Sequence, residues 1–196
     1  MIRMSAHPIQ LIVGLGNPGQ QYENTRHNAG AWLIKQLANQ HNTPLKNESK
    51  FSGAIAKIQI NSQSCWLLKP STYMNHNGQS IAAIARFYKI PAESILIAHD
   101  ELDFSAGTIR IKQGGGHGGH NGLRDTITSL GSKNFLRLRI GIGHPGQPDD
   151  VSPYVLSAPS KHDKQLIQKA IDDGLSILEP LIIGNTEQAM HQLHSN

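Results

Sequence analysis

The feature that most constrains the fold is the apolar run IQLIVGL, residues 9–15, which leads directly into the glycine turn GLGNPG. A continuous apolar run of this length predicts a central strand buried on both faces, as in sheets covered by helices on each side. From Ala29 onward apolar residues recur with a helical period, and Asn28 lies where it can cap the first helical turn. The start of the chain therefore predicts a strand, a turn and a helix of an α/β fold.

Strand-like and helix-like segments alternate along the rest of the chain. GAIAKIQI and SCWLLKP predict a hairpin joined by NSQ, and SILIAHD predicts a buried strand that ends at Asp100. TIRIK and LRLRIGIG alternate apolar and basic residues, which predicts strands with Arg137 and Arg139 facing outward. Helical patterns follow TYMN and fill the C-terminal part, with a break near Gly184. We predict one α/β domain over residues 1–196, with three layers and a mixed, twisted central sheet flanked by helices.

Composition narrows the class of protein further. The chain has 196 residues, about the size of one α/β domain, and a formal net charge of +4, which suits a partner rich in negative charge. Cys65 is the only cysteine, so a disulfide framework is excluded and a reducing compartment is favoured. We see neither a secretory signal nor an apolar run near the roughly 20 residues that a membrane span needs. We therefore expect a cytoplasmic monomer with no membrane partner.

The spacing of GLGNPG also fits the G-x-G-x-x-G turn of dinucleotide-binding proteins. Such a site needs a helix that begins at the third glycine and a carboxylate about 20 residues further on. Here QQYENTRHN separates that glycine from the helix, Gln36 and Asn39 stand near the ribose-binding position, and Pro18 lacks the N–H that a phosphate would use. The pattern disfavours NAD or FAD and leaves a turn that presents Asn17 at a strand end.

Polar residues follow two other predicted strands. TYMN places Met74 and Asn75 after one strand, and Asp100 ends another. In α/β sheets, ligands bind beyond the carboxyl ends of the strands. These residues are therefore expected to meet Asn17 in one cleft.

The segment GGGHGGHNG, residues 114–122, sets His117, His120 and Asn121 among six glycines. Glycines permit positive φ and close approach of the backbone, and exposed N–H groups can form an anion-binding nest. The segment lacks the Lys and Ser/Thr of a P-loop, and the two histidines lie on a loop without a Cys or Glu, unlike a zinc motif. We predict a functional loop and expect neither a metal nor a cofactor.

Together, GLGNPG..Y..TRHN, KPSTYMN, AHDELD and GGGHGGHNGLRD resemble the bacterial peptidyl-tRNA hydrolase family, and RLRIGIGHPG extends the similarity. The resemblance covers residues 11–146, with the motifs in the family's order. It implies hydrolysis of the ester between a peptide's C-terminus and the terminal ribose of tRNA. That reaction recycles tRNA from aborted translation.

The resemblance also implies residue roles. His27 of TRHN would be the catalytic base and Asp100 its partner, with Asn121 acting beside them on the water or the oxyanion. The implied substrate-binding residues are Asn17, Tyr22, Met74, Asn75, His120 and Asn121, and the implied tRNA-binding residues are Lys112 and Arg139.

One segment departs from the family pattern. After TYMN the chain has His76 and Asn77 before the glycine, where many relatives have a small or apolar residue followed by Ser-Gly. The departure concerns the rim of the peptide pocket rather than the reacting groups.

The residues are chemically suited to this reaction. A histidine that titrates near pH 6.5 can take a proton from attacking water, and a carboxylate on its other nitrogen fixes the tautomer. Because no G-x-S-x-G elbow is present, we expect direct attack by water, with an Asn amide and backbone N–H groups stabilising the oxyanion. Two other classes stay open: a noncatalytic RNA-binding module, and a nucleotide-dependent oxidoreductase or metal hydrolase.

Overall fold

The computed structural model describes residues 7–195, which contain one seven-stranded sheet. The strands are β1 (Leu11–Gly14), β2 (Lys46–Glu48), β3 (Gly53–Ile60), β4 (Gln63–Pro70), β5 (Ile95–Glu101), β6 (Ile109–Gln113) and β7 (Leu136–Gly141). Their order is β2-β3-β4-β1-β5-β7-β6. The central strands β4, β1, β5 and β7 are parallel, and β2, β3 and β6 are antiparallel to their neighbours. The predicted mixed sheet is therefore confirmed.

Seven α-helices lie within the same described residues. They are α1 (Ala29–Gln40), α2 (Asn77–Phe87), α3 (Asn121–Leu130), α4 (Val151–Val155), α5 (Lys161–Ser176), α6 (Leu178–Ile182) and α7 (Thr186–His194). The predicted break at Gly184 is confirmed, because this residue has a φ of 87° between α6 and α7. None of these helices is long and apolar enough to cross a bilayer.

Two apolar cores lie on opposite faces of the sheet. On one face, alternate residues of the central strands pack against α1, α5, α6 and α7. On the other face, Leu11, Val13 and Ile97 pack against α2 and α3. The three-layer prediction is confirmed. Residues 1–6 and 196 of the predicted domain lie outside the described residues.

Two glycines bring the start of α1 onto the sheet. A Cβ atom on Gly30 would lie 2.1 Å from the carbonyl oxygen of Ala98 in β5. A Cβ atom on Gly14 would lie 2.1 Å from the carbonyl oxygen of Gly30. Because both lack a side chain, the backbone of α1 packs directly against β1 and β5. This contact brings the turn before α1 to the carboxyl end of β5.

Two local predictions were wrong. Asn28 does not cap α1, because its carboxamide binds the backbone N–H and C=O of Asn17, both at 2.9 Å. Arg137 does not face solvent: it is 3% exposed and donates to the carbonyl oxygens of Gly115 and Gly116. Its face of β7 is covered by the glycine loop, a cover that alternation within the strand does not reveal.

Candidate active site

An open cleft of about 1040 Å³ lies beyond the carboxyl ends of β1, β4 and β5. The three strands are parallel, so the segments that follow them meet at one edge of the sheet. Every site residue predicted from the sequence lines this cleft: Asn17, Tyr22, His27, Met74, Asn75, Asp100, Lys112, His120, Asn121 and Arg139.

A buried histidine–aspartate pair lies at the centre of the cleft. His27, in the short turn before α1, has its Nδ1 2.8 Å from Oδ2 of Asp100, and the two residues are 9% and 3% exposed. Burial alone would lower the pKa of His27, but the charge and hydrogen bond of Asp100 outweigh it and raise that pKa above 6.5. Since the carboxylate accepts from Nδ1, the proton of neutral His27 lies there. Its Nε2 therefore keeps a lone pair.

A second histidine binds the same carboxylate. Nε2 of His120 lies 2.8 Å from Oδ1 of Asp100, while its Nδ1 accepts from the N–H groups of Gly122 and Leu123 at 3.1 and 3.3 Å. Because Nδ1 accepts two hydrogen bonds, the proton of His120 must be on Nε2. Burial opposes ionisation of Asp100, but the two histidines outweigh it and hold its pKa well below the usual range.

His27, Asp100 and His120 are also close enough to hold a metal ion, with their ligand atoms within 4.8 Å of one another. A metal on Nε2 of His120 would shift the proton to Nδ1, where it would face two backbone N–H donors. The hydrogen-bond pattern therefore fits a proton on Nε2 of His120 and disagrees with a metal there.

Asn17 presents its amide to the cleft in a fixed orientation. Its Oδ1 accepts from the backbone N–H of Met74 at 2.7 Å, so its Nδ2 is the outward group. Within residues 7–195 that Nδ2 makes no protein hydrogen bond. Asn28 holds the backbone of Asn17 from the other side. Sequence reasoning missed this role of Asn28, although its place directly after His27 in TRHN was a signal.

The start of α3 lies against Met74. A Cβ atom on Gly122 would lie 2.6 Å from Sδ of Met74. This close approach brings Asn121, the exposed first residue of α3, to the rim where Asn75 is also exposed. Oδ1 of Asn121 accepts from Arg124 at 3.1 Å, which orients the amide.

The glycine loop, residues 114–119, adopts the unusual backbone that its composition predicts. Four of its glycines have positive φ, and Nδ1 of His117 accepts from the N–H of Gly119 at 3.0 Å. His117 therefore stabilises a turn within the loop, a role that the sequence did not indicate.

The two predicted tRNA-binding cations differ in how they are held. Nε of Arg139 lies 2.9 Å from Oε2 of Glu101, and its guanidinium lies 4.4 Å from the ring centroid of Phe104. Lys112 is exposed on β6 beside the glycine loop. Arg139 is thus an oriented cation, whereas Lys112 is an exposed one.

An exposed aromatic residue that the sequence did not single out also lines the cleft. Tyr73 is 54% exposed, and its ring meets that of Tyr22 edge to face with 6.3 Å between centroids. The pair forms an apolar wall next to Met74.

Comparisons with known proteins agree with the motifs. The family model described as peptidyl-tRNA hydrolase matches residues 11–196. The chain is 57% identical over 187 residues to the peptidyl-tRNA hydrolase of Coxiella burnetii (strain RSA 493 / Nine Mile phase I), covering 95% of this chain and 98% of that protein. It is 54% identical to that of Legionella pneumophila (strain Lens), covering 95% and 99%. The crystal structure of peptidyl-tRNA hydrolase from Acinetobacter baumannii superposes with a TM-score of 0.92 at 51% identity, covering 95% and 96%. The chain belongs to the peptidyl-tRNA hydrolase family.

Proposed function

We propose that this chain hydrolyses the ester of peptidyl-tRNA, with His27 as the general base for direct attack by water. Family membership supports the substrate and the reaction. The observation that carries the mechanism is the 2.8 Å hydrogen bond between His27 and Asp100. It leaves Nε2 of His27 unprotonated in the cleft, where a base for water is needed.

One base is enough for both proton transfers of the reaction. Nε2 of His27 takes a proton from water while the water oxygen attacks the ester carbonyl carbon. The tetrahedral intermediate then collapses, and the imidazolium returns the proton to the departing ribose oxygen. The Asp100 carboxylate stabilises the imidazolium between these steps, and general base catalysis of this kind contributes about 10² to 10⁴ in rate.

The cleft asparagines supply neutral polar groups for the peptide and the oxyanion. The outward Nδ2 of Asn17 can donate to a peptide carbonyl, and Asn75 and Asn121 stand at the rim. A peptide amide is neutral, whereas a free aminoacyl-tRNA carries an ammonium whose desolvation against amides is costly. We infer that this difference makes the enzyme prefer peptidyl over aminoacyl esters.

The tRNA is held mainly through its phosphates in this proposal. An enzyme that accepts many tRNAs needs contacts to backbone and shape more than to base edges. Lys112 and Arg139 border the cleft on the glycine-loop side, which supports their role as phosphate contacts.

A single-turnover comparison tests the proposed base. His27→Ala should lower the rate of peptidyl-tRNA hydrolysis about 10²-fold to 10⁴-fold. His162→Ala is the matched control, because His162 is exposed on α5 and does not line the cleft. Retention of more than about a tenth of the rate by His27→Ala would exclude it as the base. Binding of peptidyl-tRNA without turnover by the wild type would favour the RNA-binding alternative.

The cellular setting belongs to the same proposal. We infer that residues 1–196 form one domain. We also infer that this domain acts in the cytoplasm, where ribosomes supply the substrate. We also infer a monomer, since the proposed mechanism needs no residue from a second copy. Sedimentation equilibrium across a range of concentrations measures the oligomeric state directly.

A further inference from the structure

Two histidines that line the cleft have no part in the proposed mechanism. His117 lies in the glycine loop, and His144 begins the segment HPG, residues 144–146, after β7. Nδ1 of His117 accepts from the N–H of Gly119 at 3.0 Å, and Nδ1 of His144 accepts from that of Gly146 at 2.9 Å. Each ring therefore makes the same kind of hydrogen bond to the backbone two residues further on.

This hydrogen bond fixes the tautomer of both rings. A ring nitrogen that accepts from an N–H carries no proton, so the proton of each neutral imidazole is on Nε2. Because Nδ1 faces the backbone of its own turn, Nε2 lies on the far side of the ring. Within residues 7–195 neither of these Nε2 atoms makes a protein hydrogen bond. Two separate loops thus each bring an uncharged N–H donor to the cleft.

The two cations assigned to the tRNA lie beside these loops. Lys112 lies against the glycine loop, since its Nζ would be 3.1 Å from a Cβ atom on Gly115. The guanidinium of Arg139 lies over the ring of Phe104, whose carbonyl oxygen accepts at 2.8 Å from the residue directly before His144. Each uncharged donor therefore has a cation in its neighbourhood.

Two carboxylates also line this cleft. Glu101 accepts from Nε of Arg139 at 2.9 Å and from the N–H of Asp103 at 3.1 Å, so its charge is already paired. Asp103 is exposed, where water and salt screen its charge. These carboxylates offset part of the cationic charge. Donors that add no charge are therefore a further source of affinity for an anionic oxygen.

We propose that His117 and His144 are tRNA-binding residues, each of which donates from Nε2 to a phosphate oxygen of the acceptor end. The inference rests on the proposed function, which places the tRNA on this side of the cleft. A neutral donor binds a phosphate without adding a cation that releases counterions, so it fixes position and contributes little to salt dependence. In this respect the two histidines differ from Lys112 and Arg139.

Asparagine at either position separates the turn from the donor. Its Oδ1 can accept from the N–H two residues further on, as in an Asx turn, while its amide is too short to replace Nε2. His117→Asn and His144→Asn should each raise the Kd of deacylated tRNA about tenfold or more, because a hydrogen bond to a charged group is lost. The slope of log Kd against log salt should not change.

A substrate without phosphates separates binding of the tRNA from distortion of the cleft. In the two Asn variants, KM for N-acetyl-aminoacyl-tRNA should rise about tenfold, whereas KM for an N-acetyl-aminoacyl ester of adenosine should change less than about twofold. His162→Asn is the matched control, because it makes the same chemical change on α5 outside the cleft. It should alter neither KM.

Nitrogen-15 NMR of the wild type with labelled histidine checks the tautomers without a substitution, and it replaces the variants if thermal unfolding shows that they do not fold. We expect Nε2–H on both rings, with Nε2 signals that shift when deacylated tRNA is added. A proton on Nδ1 of either ring, or signals that do not shift, would overturn the inference.

Three results with folded variants would also overturn it. They are an unchanged Kd for tRNA in both Asn variants, equal rises of KM for the two substrates, and a reduced salt slope, which would mean that the ring binds as a cation. Absence of hydrolysis by a wild type that still binds deacylated tRNA would instead refute the proposed function.

Discussion

At the scale of single residues, the chemistry depends on which nitrogen of each histidine carries a proton. Asp100 accepts from Nδ1 of His27 and from Nε2 of His120, so each of its oxygens has a donor. The two backbone donors at Nδ1 of His120 fix that tautomer from the other side. Of the two histidines that bind Asp100, only His27 is left with an unprotonated nitrogen.

Asp100→Asn should change the pH dependence as well as the rate. In the wild type, neutral His27 accumulates as the pH rises through its raised pKa, so kcat/KM should fall on the acidic side of that pKa. The substitution removes the charge that raises the pKa while burial, which lowers it, remains. The acidic limb should therefore move to lower pH, and the plateau should drop about 10²-fold or more. A limb that stays in place or moves to higher pH would contradict the assignment.

His120 has a structural and an electrostatic role that two substitutions can separate. His120→Ala removes both the N-cap of α3 and a donor to Asp100, and loss of an N-cap costs about 0.5–2 kcal/mol of unfolding free energy. His120→Asn should keep the cap, because asparagine is a good N-cap residue. Its side chain is too short to donate a hydrogen bond to Asp100. We expect both variants to lose activity and the alanine variant to lose more unfolding free energy than the asparagine variant, by about the value of the cap. Chemical denaturation and kcat measurements check this, and an Asn variant of wild-type activity would refute it.

At the scale of elements, close approaches at glycines place the helices that carry the site. A Cβ atom on Gly30 would collide with the backbone of β5, and one on Gly122 would meet the flexible side chain of Met74. The first contact sets where α1 lies on the sheet. The second sets how near α3 comes to Met74, next to the apolar wall of Tyr22 and Tyr73.

Gly30→Ala and Gly122→Ala should therefore differ. The Gly30 substitution has to move α1 away from β5, which we expect to cost about 3 kcal/mol or more of unfolding free energy and to lengthen the contact between His27 and Asp100. The Gly122 substitution can displace Met74 instead, so it should mainly raise KM for the peptidyl substrate. Gly116→Ala serves as a stability control, because no atom lies within 4 Å of its added Cβ. Equal losses of stability at Gly30 and Gly122 would contradict this account.

At the scale of the whole molecule, the chain carries a modest net charge of +4, and both cations and carboxylates border the cleft. Lys112 and Arg139 line the cleft. The guanidinium of Arg137, which lies near both in the sheet, donates instead to carbonyl oxygens of the glycine loop. Burial lowers the pKa of Arg137, with Arg139 as a further cause. Arg137 thus supports the glycine loop, which leaves Lys112 and Arg139 as the proposed phosphate contacts.

Salt dependence should distinguish these cations. Lys112→Ala and Arg139→Ala should each reduce the slope of log KM against log salt by somewhat less than one unit, about 0.7–0.9, because one phosphate contact is lost. Lys169→Ala, on the exposed face of α5, should leave the slope unchanged. Unaltered slopes in both cleft variants would show that the phosphates bind elsewhere.

The sequence by itself predicted the element types, and its motifs named the candidate site residues. Continuous apolar runs and helical periods reflect burial on two faces or on one stripe, and both are properties of a segment alone. The motifs around Asn17, His27, Met74, Asp100 and Asn121 were likewise visible without any structure. The first four lie at a predicted strand end or helix start, where the fold places binding groups, and Asn121 lies in the predicted functional loop.

Only the tertiary structure decided how those residues are joined. That Asp100 serves two histidines, that Asn28 binds the backbone of Asn17 rather than capping α1, and that Arg137 is buried all depend on contacts between distant segments. A local pattern records which face of an element is apolar, but it does not record what covers the opposite face. Asn77 is the clearest case. The sequence suggested a position at the rim of the peptide pocket, whereas Asn77 is 0% exposed and its carboxamide binds the backbone of Gly16 after β1 and of Tyr73 after β4.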